Sequence, residues 1–340
     1  MALTAILVAG CTGTETETVA VSPEDSCVHA HDGVCDEPRN CALGSDSTDC
    51  DQACAPAYSP AIAAACAYDE PLVEPPLEDP GSHGSGGPGG TWDGIIQARG
   101  PAGPDVWVDR YYRVYVPPTY DPAKPTPLLY VMGGFRVHHW SLAGDTEFNR
   151  LADLNNFIVV YLKAHWVEYG VYGWLFNWFT YRQDYNPQQW PACPDLDYVQ
   201  KLSDELKGLY NIDRTRIFAS GHSRGGAMAA LFAFELPNLF AGMLPTSGFF
   251  TPNGYLDRIA ELNPARKVSA VIIHGDIDPD VPVSESDGLY DALNATGHLD
   301  WEHIIYLRLP GVTHAWQPQV HQQAWTFLSE RPLPLEMAAP

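Results

Sequence analysis

Positive charge is scarce in this chain of 340 residues: 19 Lys and Arg stand against 42 Asp and Glu, a formal net charge of −23. So acidic a chain is repelled by nucleic-acid phosphates and by anionic lipid headgroups, which excludes both as expected partners. No apolar run reaches the roughly 18 residues that a membrane-spanning helix needs. Cysteine is nearly missing from most of the chain, since only Cys193 follows Cys66. What remains is globular in composition: 45% hydrophobic and 11% aromatic residues can fill a core, which excludes wholesale disorder.

The front quarter differs from the rest. Residues 1–90 hold fifteen acidic residues and a single base, Arg39. The opening MALTAILVAGC is a short apolar run of signal-peptide length ending in small residues. It resembles a bacterial lipobox, which implies a signal over residues 1–10, lipidation of Cys11 and a tether over 11–26. Six cysteines crowd residues 27–68 at the density of a disulfide scaffold, which predicts an oxidising, extracytoplasmic location, secreted or held at a cell envelope. Asp32, Asp36, Asp46 and Asp49 lie among them and offer oxygen ligands for a structural Ca²⁺. The pattern is similar to small calcium-binding modules of the Notch and LDL-receptor class A kinds; a solvated acidic spacer is the alternative. Residues 69–90 are rich in Pro, then Gly and Ser, and read as a linker.

From residue 91 to 332 strand and helix signals alternate, with a tail at 333–340. Residues 106–116 alternate apolar and polar positions, as an antiparallel strand does. Residues 128–132, 157–162, 217–220, 269–274 and 304–309 are apolar runs of the buried-parallel-strand kind. Val199, Leu202, Leu206 and Leu209 form one helical stripe. The expected fold is α/β, a mostly parallel sheet with helices on both faces.

The sharpest motif is RIFASGHSRGG, residues 216–226. An apolar strand runs into G-x-S-x-G and an Ala-rich helix follows, the context of a nucleophile elbow. Ser223 is the candidate nucleophile at a helix N-terminus, where N–H groups and the dipole favour an oxyanion. A nucleophilic serine needs a base, and the base an orienting acid. The strand SAVIIHG leads into Asp276, Asp278 and Asp280; Asp278, just before Pro279, is the chosen acid. His314, in a Gly-containing loop ahead of the last helix, is the candidate base. The oxyanion hole is expected from the N–H of Arg224 and that of Gly134 or Phe135, after the strand LLYVM.

Over about residues 109–328 the chain resembles the α/β-hydrolase esterases that include poly(3-hydroxybutyrate) depolymerases and feruloyl and acetylxylan esterases. The stretches YRVYVPPTYDPAKPTPLLYVMGG, FNWF, YNIDRTRIFASGHSRGGAMA, FAGMLPTSG, HGDIDPDVP and GVTHAW carry the likeness. It implies an α/β-hydrolase fold, ester hydrolysis without a catalytic cofactor, and a triad of Ser223, Asp278 and His314. Where the family usually has His-Gly, this chain has Met132-Gly133.

Aromatics gather near these motifs. Trp140, Trp174, Trp178 and Trp316 are candidate substrate contacts, in a groove for an extended or aromatic ester. Cys193 is either the partner of Cys66 or a buried thiol. The expected partner is thus an ester or polyester, with membrane contact only through the lipid anchor and the chain a monomer. Acyl transfer, peptide hydrolysis and non-catalytic surface binding are the rival readings.

Overall fold

The computed structural model describes residues 79–100, 103–168, 174–178, 193–250, 256 and 267–339. All belong to one unit, residues 78–340. Cys11, the cysteine-rich module with Asp32, Asp36, Asp46 and Asp49, and the side chain of Trp174 lie outside the described residues.

In chain order the elements are β1 (Gly90–Gly100), β2 (Gly103–Val116), β3 (Thr126–Met132), α1 (Leu142–Thr146), α2 (Phe148–Asn155), β4 (Ile158–Leu162), β5 (His165–Glu168) and β6 (Trp174–Asn177). There follow α3 (Pro194–Leu209), β7 (Ile212–His222), α4 (Arg224–Glu235), β8 (Gly242–Thr246), β9 (Ser269–Gly275), α5 (Ser284–Ala295), β10 (Ile304–Leu309) and α6 (Pro318–Ser329). Eight strands form one sheet in the order β1-β2-β4-β3-β7-β8-β9-β10. From β4 to β10 neighbours run parallel, while β2 pairs antiparallel with both β1 and β4. This is the mostly parallel sheet that the alternating pattern predicts.

Burial explains the sequence texture. Every residue of β4, β8 and β9 is buried, because helices cover both faces and neither face can be polar. Along β3, Leu128, Tyr130 and Met132 join one core cluster with Ala229 and Phe232 of α4. Leu129 and Val131 join the other, with Leu151 of α2 and Trp325 of α6. Strand period two thus divides one segment between two hydrophobic layers.

Two expectations are corrected. The linker does not run to residue 90: from residue 79 the chain is docked. Ser85 and Gly86 donate backbone hydrogen bonds to Gly208 and Leu209 at the end of α3. A Cβ on Gly84 would stand 2.4 Å from the Tyr210 backbone nitrogen, and one on Gly87 would stand 2.5 Å from the Tyr210 ring. These glycines serve close approach rather than flexibility. Nor is 333–340 a free tail, since Leu333 is buried and donates to Thr215 O, and Ala339 donates to Asn238 O. Cys193 resolves to a buried free thiol, whose pKa burial pushes up to about 12.

Candidate active site

β7 delivers its last residue, His222, straight into Ser223, and α4 begins at Arg224. Ser223 has φ +57° and ψ −121°, a conformation that costs a non-glycine residue on the order of 1–3 kcal/mol. The neighbouring glycines make the turn possible. A Cβ on Gly221 would fall 2.0 Å from Gly225 O, and one on Gly225 would fall 2.3 Å from Met132 O and 2.6 Å from Gly133 O. The start of α4 is therefore pressed against the loop after β3. In that loop a Cβ on Gly134 would lie 3.0 Å from Ser223 Cβ, so the loop passes directly beside the serine. The segments expected to line an oxyanion hole, Arg224 on one side and Gly134–Phe135 on the other, are thus brought together.

Asp278 follows β9 and its carboxylate is fully buried. Its Oδ2 accepts a 2.7 Å hydrogen bond from His314 Nδ1, while Oδ1 accepts from the amides of Asp280 and Val281, each at 2.9 Å. Burial alone would raise its pKa. The Val281 amide, His314 and the Asp280 amide outweigh burial and hold the carboxyl below its ordinary range. Its two rivals are otherwise engaged: Asp276 accepts from the Gly311 amide, and Asp280 stands exposed at the rim. A carboxylate oxygen can only accept, so Nδ1 is the donor in this bond and Nε2 is the ring nitrogen left for other partners.

A cavity of about 190 Å³ is lined by Ser223, Arg224, Phe135, Phe249, Asp280, Val281 and His314. The serine and the imidazole therefore face one space, although ninety-one positions separate them in the sequence. Phe135 and Phe249 supply its apolar walls. The Arg224 guanidinium lies 5.2 Å from the Phe135 ring centre and donates from Nη1 to Asn177 Oδ1 at 2.9 Å. The donor atoms of Asp278, Asp280 and His314 lie within 4.8 Å of one another and are the described groups able to gather around a cation. A cation there would compete with the bond between Asp278 and His314.

The tryptophans fall differently from expectation. Trp178 is 1% exposed and is not a substrate contact; its Nε1 donates to Gly133 O at 2.8 Å. An indole beneath a polar loop turn is held there by its one N–H. Trp316 is half-buried behind the base loop, against Phe148, His222 and His321, and does not line the cavity. Trp140 is 60% exposed with its ring centre 3.9 Å from that of His138, also outside the cavity. The walls are phenylalanines, each beside a glycine-containing turn.

Two further histidines border Asp278 and His314. His222 is buried, its ring centre 4.3 Å from that of His314, and its Nε2 has no hydrogen-bond partner. Burial, then the neighbouring His314, depresses its pKa to about 3, so it stays neutral. His274, at the end of β9, is fully buried. Its Nδ1 meets Ser286 Oγ at 2.7 Å, and its Nε2 lies 2.9 Å from Val281 O and 3.3 Å from Asp278 Oδ2. The Nε2 proton must face those oxygens, so Ser286 donates to Nδ1. His274 thus ties the loop carrying Asp278 to α5. Its position immediately before Gly275, at the end of an apolar run, is the signal that could have singled it out.

The sheet order and the strand–turn–helix at Ser223 define an α/β-hydrolase fold. Residues 194–331 match the phospholipase/carboxylesterase family. The protein NocK of Nocardia uniformis subsp. tsuyamanensis, named as an esterase, is 29% identical over 185 residues, 54% of this chain and 48% of that one. The bifunctional acetylxylan esterase/xylanase XynS20E of Neocallimastix patriciarum is 27% identical over 179 residues, 53% of this chain and 23% of that one. The chain therefore spans half or less of the length of these relatives. A solved ferulic acid esterase shares the fold with a TM-score of 0.53 at 16% identity, over 71% of this chain and 99% of that one.

Proposed function

We propose that this protein is a carboxylic-ester hydrolase working through an acyl-enzyme. One observation carries the reading: Ser223, held at positive φ, opens onto the same cavity as His314, whose Nδ1 is bonded to buried Asp278. In this reading Ser223 Oγ attacks the ester carbonyl while its proton passes to His314 Nε2. Asp278 balances the imidazolium. The N–H of Arg224, with that of Gly134 or Phe135, receives the charge on the carbonyl oxygen. The alcohol leaves with the proton from His314. Water then repeats the attack, its proton going to His314, and Ser223 recovers its proton as the acid departs. No step calls for a cofactor.

The substrate class that fits is a plant-wall acyl ester, acetyl or feruloyl, as the names of the relatives suggest; a polyester such as poly(3-hydroxybutyrate) is the second. The cysteine-rich module supports an exported enzyme, anchored through Cys11 or secreted, with any Ca²⁺ confined to that module. Purified full-length protein assayed on p-nitrophenyl acetate, acetylated xylan, feruloylated xylan and poly(3-hydroxybutyrate) tests this. Hydrolysis of the first together with one polymer is the expected result, and a serine-directed phosphonate should abolish it. Full turnover after stoichiometric labelling of Ser223 would overturn the proposal. Faster acyl transfer to an added alcohol than to water would move it to a transferase.

A further inference from the structure

A second cavity, of about 220 Å³, lies over the end of β4 and is lined by residues 108–111 and 163–166. Lys163 immediately follows β4 as Ser223 follows β7, and β3 alone separates these parallel strands. At about 4.8 Å per strand the ends of β4 and β7 stand on the order of 10 Å apart along the same edge of the sheet. The ends of parallel strands are where α/β folds bind ligands.

The chemistry of the groove is mixed. Arg110 is 1% exposed, is bonded to buried Asp195 at 2.7 Å, and has a buried Nη1 with no partner. Lys163 Nζ sits 4.4 Å from the Tyr111 ring centre and 5.2 Å from that of Phe176. No carboxylate lies within 4.0 Å of it among the described residues, in a chain with a charge of −23. Tyr111 and Trp166 remain 39% and 49% exposed on the walls. Asp109, also exposed, accepts from Gln97 and leaves carboxylate lone pairs over. A half-buried ammonium without a counter-ion attracts a carboxylate. Exposed rings suit the apolar faces of sugar rings. A carboxylate beside them suits hydroxyl donors and opposes a purely anionic ligand such as phosphate.

We propose that this groove binds a uronic-acid unit of a polysaccharide, its carboxylate on Lys163 and its ring against Trp166, and so names the polymer whose esters reach Ser223. The placement beside Ser223 rests on the esterase reading; the binding does not.

Affinity electrophoresis of the full chain in gels containing a uronate-bearing xylan, or the same xylan with its carboxyls reduced, tests this without requiring turnover. The wild type should be retarded at least fivefold more by the uronate polymer, and added salt should diminish the difference. Lys163→Gln should remove that difference, Lys163→Arg should keep it, and Trp166→Ala should weaken retention by both polymers. All three should hydrolyse p-nitrophenyl acetate at the wild-type rate, which shows them folded. Equal retardation of the wild type by the two polymers would overturn the proposal, as would wild-type discrimination by Lys163→Gln. Abolition of retardation by millimolar free glucuronate would replace the polymer by a small acid. Failure of the wild type to cleave p-nitrophenyl acetate would sink the esterase reading and leave the binding result standing.

Discussion

At the scale of single residues, the proposed mechanism places its chemistry on three side chains and their positioning on a fourth. Ser223→Ala and His314→Ala should each lower kcat for p-nitrophenyl acetate by about 10⁴-fold or more, with the fold intact by circular dichroism. Asp278→Asn should fall by a similar factor, because an amide can present N–H to His314 and leave the proton on the wrong nitrogen. His274 touches no substrate but holds the Val281 carbonyl and stands beside Asp278 Oδ2. His274→Ala should therefore reduce kcat by on the order of 10-fold or more with KM little changed. An unchanged kcat in a folded variant would reduce His274 to a packing role. Ser223, Asp278 and His314 are legible in the sequence because a rigid turn and a fixed chain order mark them. His274 is marked only by its place before Gly275 at the end of an apolar run, and that signal does not separate a histidine that braces a loop from one that fills a core.

At the scale of elements, the candidate oxyanion loop is held by the short strand β6 and the residue after it. Arg136 N donates to Phe176 O at 3.1 Å, Arg224 Nη1 to Asn177 Oδ1, and Trp178 Nε1 to Gly133 O. Three consecutive residues thus hold both sides of the candidate hole. Trp178→Phe would leave the Gly133 carbonyl buried without that partner, a loss of about 1–3 kcal/mol. Its expected signature is a lower melting temperature together with a lower kcat. Gly225→Ala, with its Cβ against two backbone carbonyls, should yield no folded enzyme or one without activity. The aromatic-rich stretch of the sequence points to a substrate groove. The indole of Trp178 instead turns inward, because a loop of backbone carbonyls needs donors when it is buried. β8 was not legible either: GMLPT is five residues with a proline, a composition that argues against a central strand. Burial between β7 and β9 makes it one.

At the scale of the whole molecule, buried neutral histidines set the response to acid. Burial chiefly depresses His139 and His222 to about 3, and His165 and His321 to about 4. Unfolded histidine titrates near 6.5. Between these values the unfolded chain binds more protons than the folded one, so stability falls as pH drops through about 6.5 and keeps falling towards 4. Asp278, held low, adds to the loss only in stronger acid, below the unfolded carboxylate range of about 4. Melting temperatures from pH 7 to 4 should decline steadily, and His321→Gln should flatten the slope. A flat profile would mean that these rings take up protons without disturbing the fold.

The sequence by itself determined what local geometry dictates: the parallel strands, the elbow that Gly221 and Gly225 permit, and the order of serine, acid and histidine. Tertiary structure alone decided which aromatics face the cavity and which glycines are docked. Those outcomes depend on what stands across a few ångströms of space from segments far apart in the chain, and a hydrogen bond or a steric contact is specified only when both partners are in place.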